Sequence, residues 1–132
     1  MKGAIEVRLL LDTVALIFAA QSPDRLSKRA SAALRNSENI LELSAISLSE
    51  IAIKVSAGKL AFPETSVRQV LADLDLRIMP YTAEHAFRVF DLPLHHRDPF
   101  DRQIIAQALC EDMPVVTPDR EFRLYEGIKI MW

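Results

Sequence analysis

The chain has 132 residues, a length that suits one domain with a substantial core, and a single domain spanning 1–132 is expected. Half of the residues are hydrophobic and 26% are charged, which excludes a disordered chain. The net charge of −2 excludes a broad basic face as the main means of binding nucleic acid, although an enzyme with an acidic pocket remains compatible with it.

Val7-Arg8-Leu9-Leu10-Leu11 is short and mostly apolar, like a buried strand, and Asp12 suits the N-cap of a helix starting near Thr13. Pro23-Asp24 is a turn signal, followed by a helical stripe of Leu26, Ala30, Ala33 and Leu34. Residues 36–39 read as a loop and Ile40 to Ala45 as a second strand. Leu48, Ile51, Ala52 and Val55 then take helical spacing, and Gly58 ends that helix from the C′ position. Val67, Val70, Leu71 and Leu74 repeat the pattern, and Leu76 to Met79 is a third strand stopped by Pro80. Thr82 suits the cap of a helix carrying Ala83, Ala86, Phe87 and Phe90. Phe87 and Phe90 share a face, which points to core or a dimer interface rather than to stacking on bases. The clearest amphipathic helix holds Phe100, Ile104, Ile105, Ala108 and Leu109, with Asp98 as N-cap and Pro99 at its first position. Residues 114–117 are a fourth strand and 128–131 a fifth. Strands alternating with helices imply a mainly parallel sheet covered on both faces.

No apolar run approaches the roughly 20 residues that span a bilayer, so no membrane partner is expected. Asp12 interrupts the N-terminal apolar stretch and no signal-peptide layout is present, so a cytoplasmic location is expected. Cys110 is the one cysteine, which excludes an intramolecular disulfide and a cysteine zinc site. Its neighbours Ala108 and Leu109 suggest a buried, inert thiol.

Four acids, Asp12, Glu50, Asp101 and Asp119, each follow a strand-like run or open a helix. Each has an ordinary local explanation. Ser47-x-x-Glu50 matches a capping box, Asp98-x-x-Asp101 a version with a shorter acid, and Asp119 gains from a helix dipole. In a parallel sheet, however, ligands bind beyond the carboxyl ends of the strands, and these acids would meet there. Carboxylates so gathered repel or take up protons unless a cation joins them. Oxygen donors suit Mg²⁺ or Mn²⁺, ions that support phosphodiester hydrolysis.

The chain resembles PIN-domain ribonucleases, in particular the VapC-type toxins of bacterial type II toxin–antitoxin systems. The resemblance is carried by Leu10-Leu11-Asp12-Thr13, by residues 44–54 around Glu50, and by Gly58-Lys59-Leu60. It continues through His96-Arg97-Asp98-Pro99-Phe100-Asp101-Arg102, Ala106-Gln107-Ala108 and Val116-Thr117-Pro118-Asp119. It implies a PIN-like three-layer α/β/α sandwich around a mainly parallel sheet of about four or five strands. It also implies a metal-dependent endoribonuclease in which Asp12, Glu50, Asp101 and Asp119 hold Mg²⁺, or alternatively Mn²⁺. Asp12 and Asp101 would be the principal ligands, Glu50 would bind directly or through water, and Asp119 would be peripheral. Thr117 would fix this edge by hydrogen bonding. The implied partners are an RNA substrate, transfer RNA among the candidates, a cognate antitoxin and a second copy in a homodimer.

Val14 stands where relatives often have His, and Ser49 where they often have Trp; neither change removes a carboxylate. His95-His96 suggests no metal site, because no third ligand is evident in the sequence. Lys54, Arg97 and Arg102 flank the acids, as RNA contacts or as ordinary ion pairs. Two phosphoryl-transfer families expect a second acid beside the first-strand aspartate, and Asp12-Thr13-Val14 lacks it. A PIN-like module that binds RNA or antitoxin without turnover is the remaining alternative.

Overall fold

The computed structural model describes residues 7–132. Five strands form one sheet in the order β3-β2-β1-β4-β5: β1 Val7–Leu11, β2 Asn39–Ser44, β3 Arg77–Met79, β4 Val115–Val116 and β5 Ile130–Met131. All four pairings are parallel. The expected strands are thus present, several of them shorter than the apolar runs that announced them.

Side-chain alternation along β1 divides the core. Leu9 and Leu11 enter one cluster, where α1 (Thr13–Gln21), α2 (Lys28–Arg35), α3 (Ala45–Ser56) and α4 (Glu64–Asp73) supply Leu16, Ala30, Ile51 and Val67. Leu10 points to the other cluster, built with Ile104 and Ile105 from α6 (Pro99–Glu111) and with Leu92 beyond α5 (Ala83–Val89). Helices therefore cover both faces, giving the three-layer α/β/α sandwich.

Helix ends follow the local code closely. Gly58 adopts φ 71° after α3, while its N–H bonds Val55 O and that of Lys59 bonds Lys54 O. This is the paired C-terminal closure that glycine favours. Thr82 caps α5 in a capping box whose third position is His85. Asp98 caps α6, accepting from the N–H groups of Phe100 and Asp101.

The face beneath α5 and α6 also carries a polar seam. Arg8 donates to both oxygens of Glu42 and also to Glu111; His85 Nε2 lies 3.2 Å from Glu111; Gln107 joins His85 and Ser44. Every buried side-chain nitrogen and oxygen among the described residues has a hydrogen-bond partner, so this seam carries no orphan-group penalty.

One sequence expectation fails on a helix face and another is narrowed. Cys110 is exposed, because the buried face of α6 runs through Ile104, Ile105 and Ala108 and turns it away. Phe87 and Phe90 are 64% and 85% exposed, which removes the core half of their expectation and leaves the dimer-interface half. The buried side of this segment runs instead through His85 and Leu92, with Val89 packed against the core.

Candidate active site

The strand order reverses at β1: β2 lies on one side and β4 on the other. Asp12 follows β1 directly, and Thr117-Pro118-Asp119 follows β4. The crevice at such a reversal is where open α/β sheets hold ligands.

Asp12 is the N-cap of α1, with Oδ1 accepting from Ala15 N at 2.7 Å and Oδ2 accepting from Thr117 Oγ1 at 2.5 Å. Thr117 Oγ1 also accepts from Asp119 N at 3.0 Å, so one buried hydroxyl ties the ends of both strands. This is the hydrogen-bonding role expected of Thr117. Asp119 caps the short 3-10 helix Arg120–Leu124 through Glu121 N.

Glu50 differs from its expected setting. Its helix starts at Ala45 and is capped by Ser44, whose Oγ accepts from Ile46 N. Glu50 therefore lies in the second turn, and Ser47 is not its capping partner. It is buried, takes a hydrogen bond from Thr13 Oγ1 at 2.7 Å and meets Lys54 Nζ at 2.6 Å. Helical i,i+4 spacing explains the Lys54 pair. Ser47 instead lies 2.9 Å from Thr13, joining the first turns of α1 and α3. The reciprocal half of the proposed Asp98–Asp101 box is also absent: the Asp98 N–H is taken by His96 Nδ1, 3.1 Å away.

That histidine is the residue the sequence did not single out as part of the site. His96 Nε2 lies 2.9 Å from Asp119 Oδ2, 3.1 Å from Asp101 Oδ2 and 3.6 Å from Glu121 Oε2. Potential ligand atoms of His96, Asp101 and Asp119 all fall within 4.8 Å of one another. Asp12 and Glu50 stand outside that tight group but act on it electrostatically.

Burial pushes the Asp12 carboxyl up to about 7, and the charges of Asp119 and Glu50 push the same way against the Thr117 and Ala15 hydrogen bonds. Asp101 also rises to about 7, first through burial, then through Asp98, Asp12 and Glu50, with His96 opposing. Burial pulls the His96 imidazole down, but the Asp119 hydrogen bond and the nearby carboxylates overcome it and leave it above its ordinary value. The hydrogen bond to Glu50 raises Lys54. Asp12 and Asp101 thus feel each other and the neighbouring acids, as a shared pocket requires. Oxygen donors with poorly solvated charge fit a divalent cation.

Of the flanking cations, Lys54 is committed to Glu50, and Arg102 to Leu92 O, Pro93 O and the Tyr125 hydroxyl. Arg97 is exposed. A groove of about 510 Å³ between α3 and α4 is lined mainly by apolar groups such as Leu48, Val55 and Leu71, none of the four acids among them.

Phe122 supports this edge. It is fully buried in the 3-10 helix that Asp119 caps, and its ring stands edge-on to His96 with centroids 6.0 Å apart. Phe122→Ala is expected to destabilise the fold by about 3–5 kcal/mol, as large aromatic truncations in a core do. Urea unfolding would read the loss directly; a change below about 1 kcal/mol would contradict a tightly packed Phe122.

The PIN domain profile matches residues 9–128, nearly the whole chain. The chain belongs to the PIN domain family. Its PIN fold is shared with VapBC2 from Rickettsia felis, in a structure bound to a DNA fragment from their promoter. That match has 20% identity and a TM-score of 0.71, covering 94% of this chain and 97% of the other. DNA-bound VapBC from Salmonella typhimurium is similar at 23% identity and a TM-score of 0.70, over 94% and 96% of the two chains. VapBC-1 from nontypeable Haemophilus influenzae gives 19% and 0.66, over 95% and 97%. A comparison with curated proteins found no match. The sequence resemblance to PIN domains is therefore established as family membership, and the solved structures extend it at the level of fold.

Proposed function

We infer that this PIN domain is a metal-dependent endoribonuclease of the VapC toxin kind, with Asp12, Glu50, Asp101 and Asp119 around Mg²⁺ or Mn²⁺. The observation that carries this reading is the pair of desolvated carboxyls, Asp12 and Asp101, both held near 7 at a sheet switch point. Such acids are costly to keep in a fold that has no use for them, and perturbed groups of this kind cluster at functional sites. The bound cation would activate water and offset charge at the phosphodiester.

The residues have separable roles. Asp12 and Asp101 present carboxylate oxygens from two helix starts, and Thr117 fixes the Asp12 rotamer. Glu50, paired with Lys54 and Thr13, suits holding and orienting water. Asp119 borders the pocket and is the more exposed of the metal candidates. The exposed Arg97 is available to a substrate phosphate. An antitoxin and a homodimer belong to the same proposal; the VapBC fold neighbours support the first and the exposed Phe87–Phe90 face the second.

The test is cleavage of RNA with Mg²⁺ or Mn²⁺, repeated with EDTA. Cleavage is expected to need the cation. Activity that survives both EDTA and Asp12→Asn would sink the mechanism. One observation favours a binding module without turnover: Lys54 and His96 already engage Glu50, Asp101 and Asp119. Calorimetry separates the readings, because correctly folded protein that binds neither ion would support the module.

A further inference from the structure

His96 has the position of a ligand and the hydrogen bonding of a donor. Its Nε2 sits among carboxylates at distances that, seen alone, describe a mixed nitrogen–oxygen metal site. The other ring nitrogen decides between the two. Nδ1 lies 3.1 Å from the Asp98 amide, which has a proton to give, so Nδ1 accepts. A neutral imidazole has one N–H. With the Nδ1 lone pair taken, that proton is on Nε2, and no lone pair remains there for a cation. Histidines that bind metal show the reverse arrangement: the ring nitrogen away from the ion donates to a carboxylate, carbonyl or water.

The ring is held from every side. The His96 N–H donates to the Tyr125 hydroxyl at 2.8 Å, and Phe122 meets the ring edge-on. Asp98 connects this to the helix bearing Asp101: its N–H holds His96, while its Oδ1 accepts from Phe100 N and Asp101 N. Rotation of the ring to offer a lone pair would break the Asp98 bond and leave an amide proton facing an N–H.

We propose that His96 is a positioning residue, not a metal ligand: its Nε2–H, set by the Asp98 amide, holds Oδ2 of Asp119 in place beside Asp101 and leaves the other carboxylate oxygens to the cation. This rests on the reading of the pocket as a divalent-cation site. Nε2 is hydrogen-bonded to Oδ2 of Asp119 at 2.9 Å and lies 3.1 Å from Oδ2 of Asp101, so the ring stands between a carboxylate of α6 and one from the turn after β4. The bond to Asp119 and the closeness of Asp101 orient charges that would otherwise swing apart, which preorganises the pocket.

The experiment combines NMR on the wild-type protein with metal binding by variants. Long-range ¹⁵N–¹H spectra should show the His96 ring protonated at Nε2, both in metal-free protein and with Mg²⁺. Mn²⁺ electron spin echo spectra should show no directly bound ¹⁴N. By calorimetry, His96→Ala should weaken Mn²⁺ binding by about 10–100-fold, the range found for groups that support ligands. His96→Gln, which keeps an N–H donor at a similar reach, should restore most of it, with thermal melts confirming that both variants fold. An Nδ1–H tautomer, a ¹⁴N coupling to Mn²⁺, or equal affinity in His96→Ala and wild type would each overturn the proposal. Failure of the wild type to bind either ion would instead defeat the cation-site reading, and the tautomer in metal-free protein would still decide the donor role.

Discussion

Asp12→Asn is expected to abolish cation-dependent RNA cleavage while making the metal-free protein more stable at pH 8. The first half follows from removing a ligand charge: several kcal/mol of electrostatic stabilisation corresponds to a rate loss of at least about a hundredfold. The second half follows from the folded protein's own electrostatics. Burial lifts the Asp12 carboxyl from 3.8 to about 7, so ionising it at pH 8 opposes folding by something of the order of a few kcal/mol. The sign is fixed by the raised value. The folded state holds this proton more tightly than the unfolded chain, so stability falls as pH climbs from about 4 to about 7, and the deficit is complete above that. Asparagine removes the charge and remains a good N-cap, with Oδ1 still able to accept from Ala15 N. Its amide can donate to Thr117 Oγ1, whose own proton then turns elsewhere. Melting in EDTA at pH 8 should therefore show a gain of several degrees that shrinks towards pH 4. A lower melting temperature at pH 8 would mean that the Thr117 bond outweighs the buried charge.

Cation binding is expected to weaken about a hundredfold between pH 8 and pH 6. A carboxyl near 7 is roughly nine-tenths ionised at pH 8 and one-tenth at pH 6, and Asp12 and Asp101 both lie there. Each must lose its proton to serve as a ligand, so each contributes about a factor of ten, reduced where their titrations are coupled. His96, raised by Asp119 and Asp101, adds a cation to the pocket at low pH and acts in the same direction. Calorimetry with Mn²⁺ in buffers of different ionisation enthalpy should find about one proton released near pH 7. Affinity independent of pH would show that the ion is held elsewhere.

Much of the frame was legible because local and global preferences agree. The Leu9-Leu10-Leu11 run could be read as a buried strand since both faces of β1 are covered. Asp12, Gly58 and Asp98-Pro99 mark helix ends by rules that act within a few residues. Glu50 shows where those rules become ambiguous. Ser44 and Ser47 are both good caps, and parallel pairing of β2 to Ser44, opposite Met79, starts the helix immediately after it. That start carries Glu50 into the second turn, towards Thr13, which no capping pattern foretells. His96 was not legible because the groups around Nε2 come from positions 101, 119 and 121 on two other elements. The available signal was its place two residues before an N-cap aspartate, where Nδ1 can take the cap's own amide. Cys110 and the core reading of Phe87 misled for a simpler reason: apolar neighbours were weighed above the phase of the helix.

Asp12 and its hydroxyl partner Thr117 are 105 positions apart, and the strand that brings them together, β4, is only two residues long. Local folding can finish α1 and α3 long before this, because non-local pairing comes late when chain closure must precede it. During synthesis Asp12, Glu50 and Asp101 therefore emerge before Asp119, and a chain stopped before residue 117 lacks both Asp119 and the Thr117 that holds Asp12. Activity would begin only once Thr117 and Asp119 have been made and β4 has paired. For a catalyst whose proposed substrate is RNA, that timing keeps unfinished copies inert beside the ribosome that is making them.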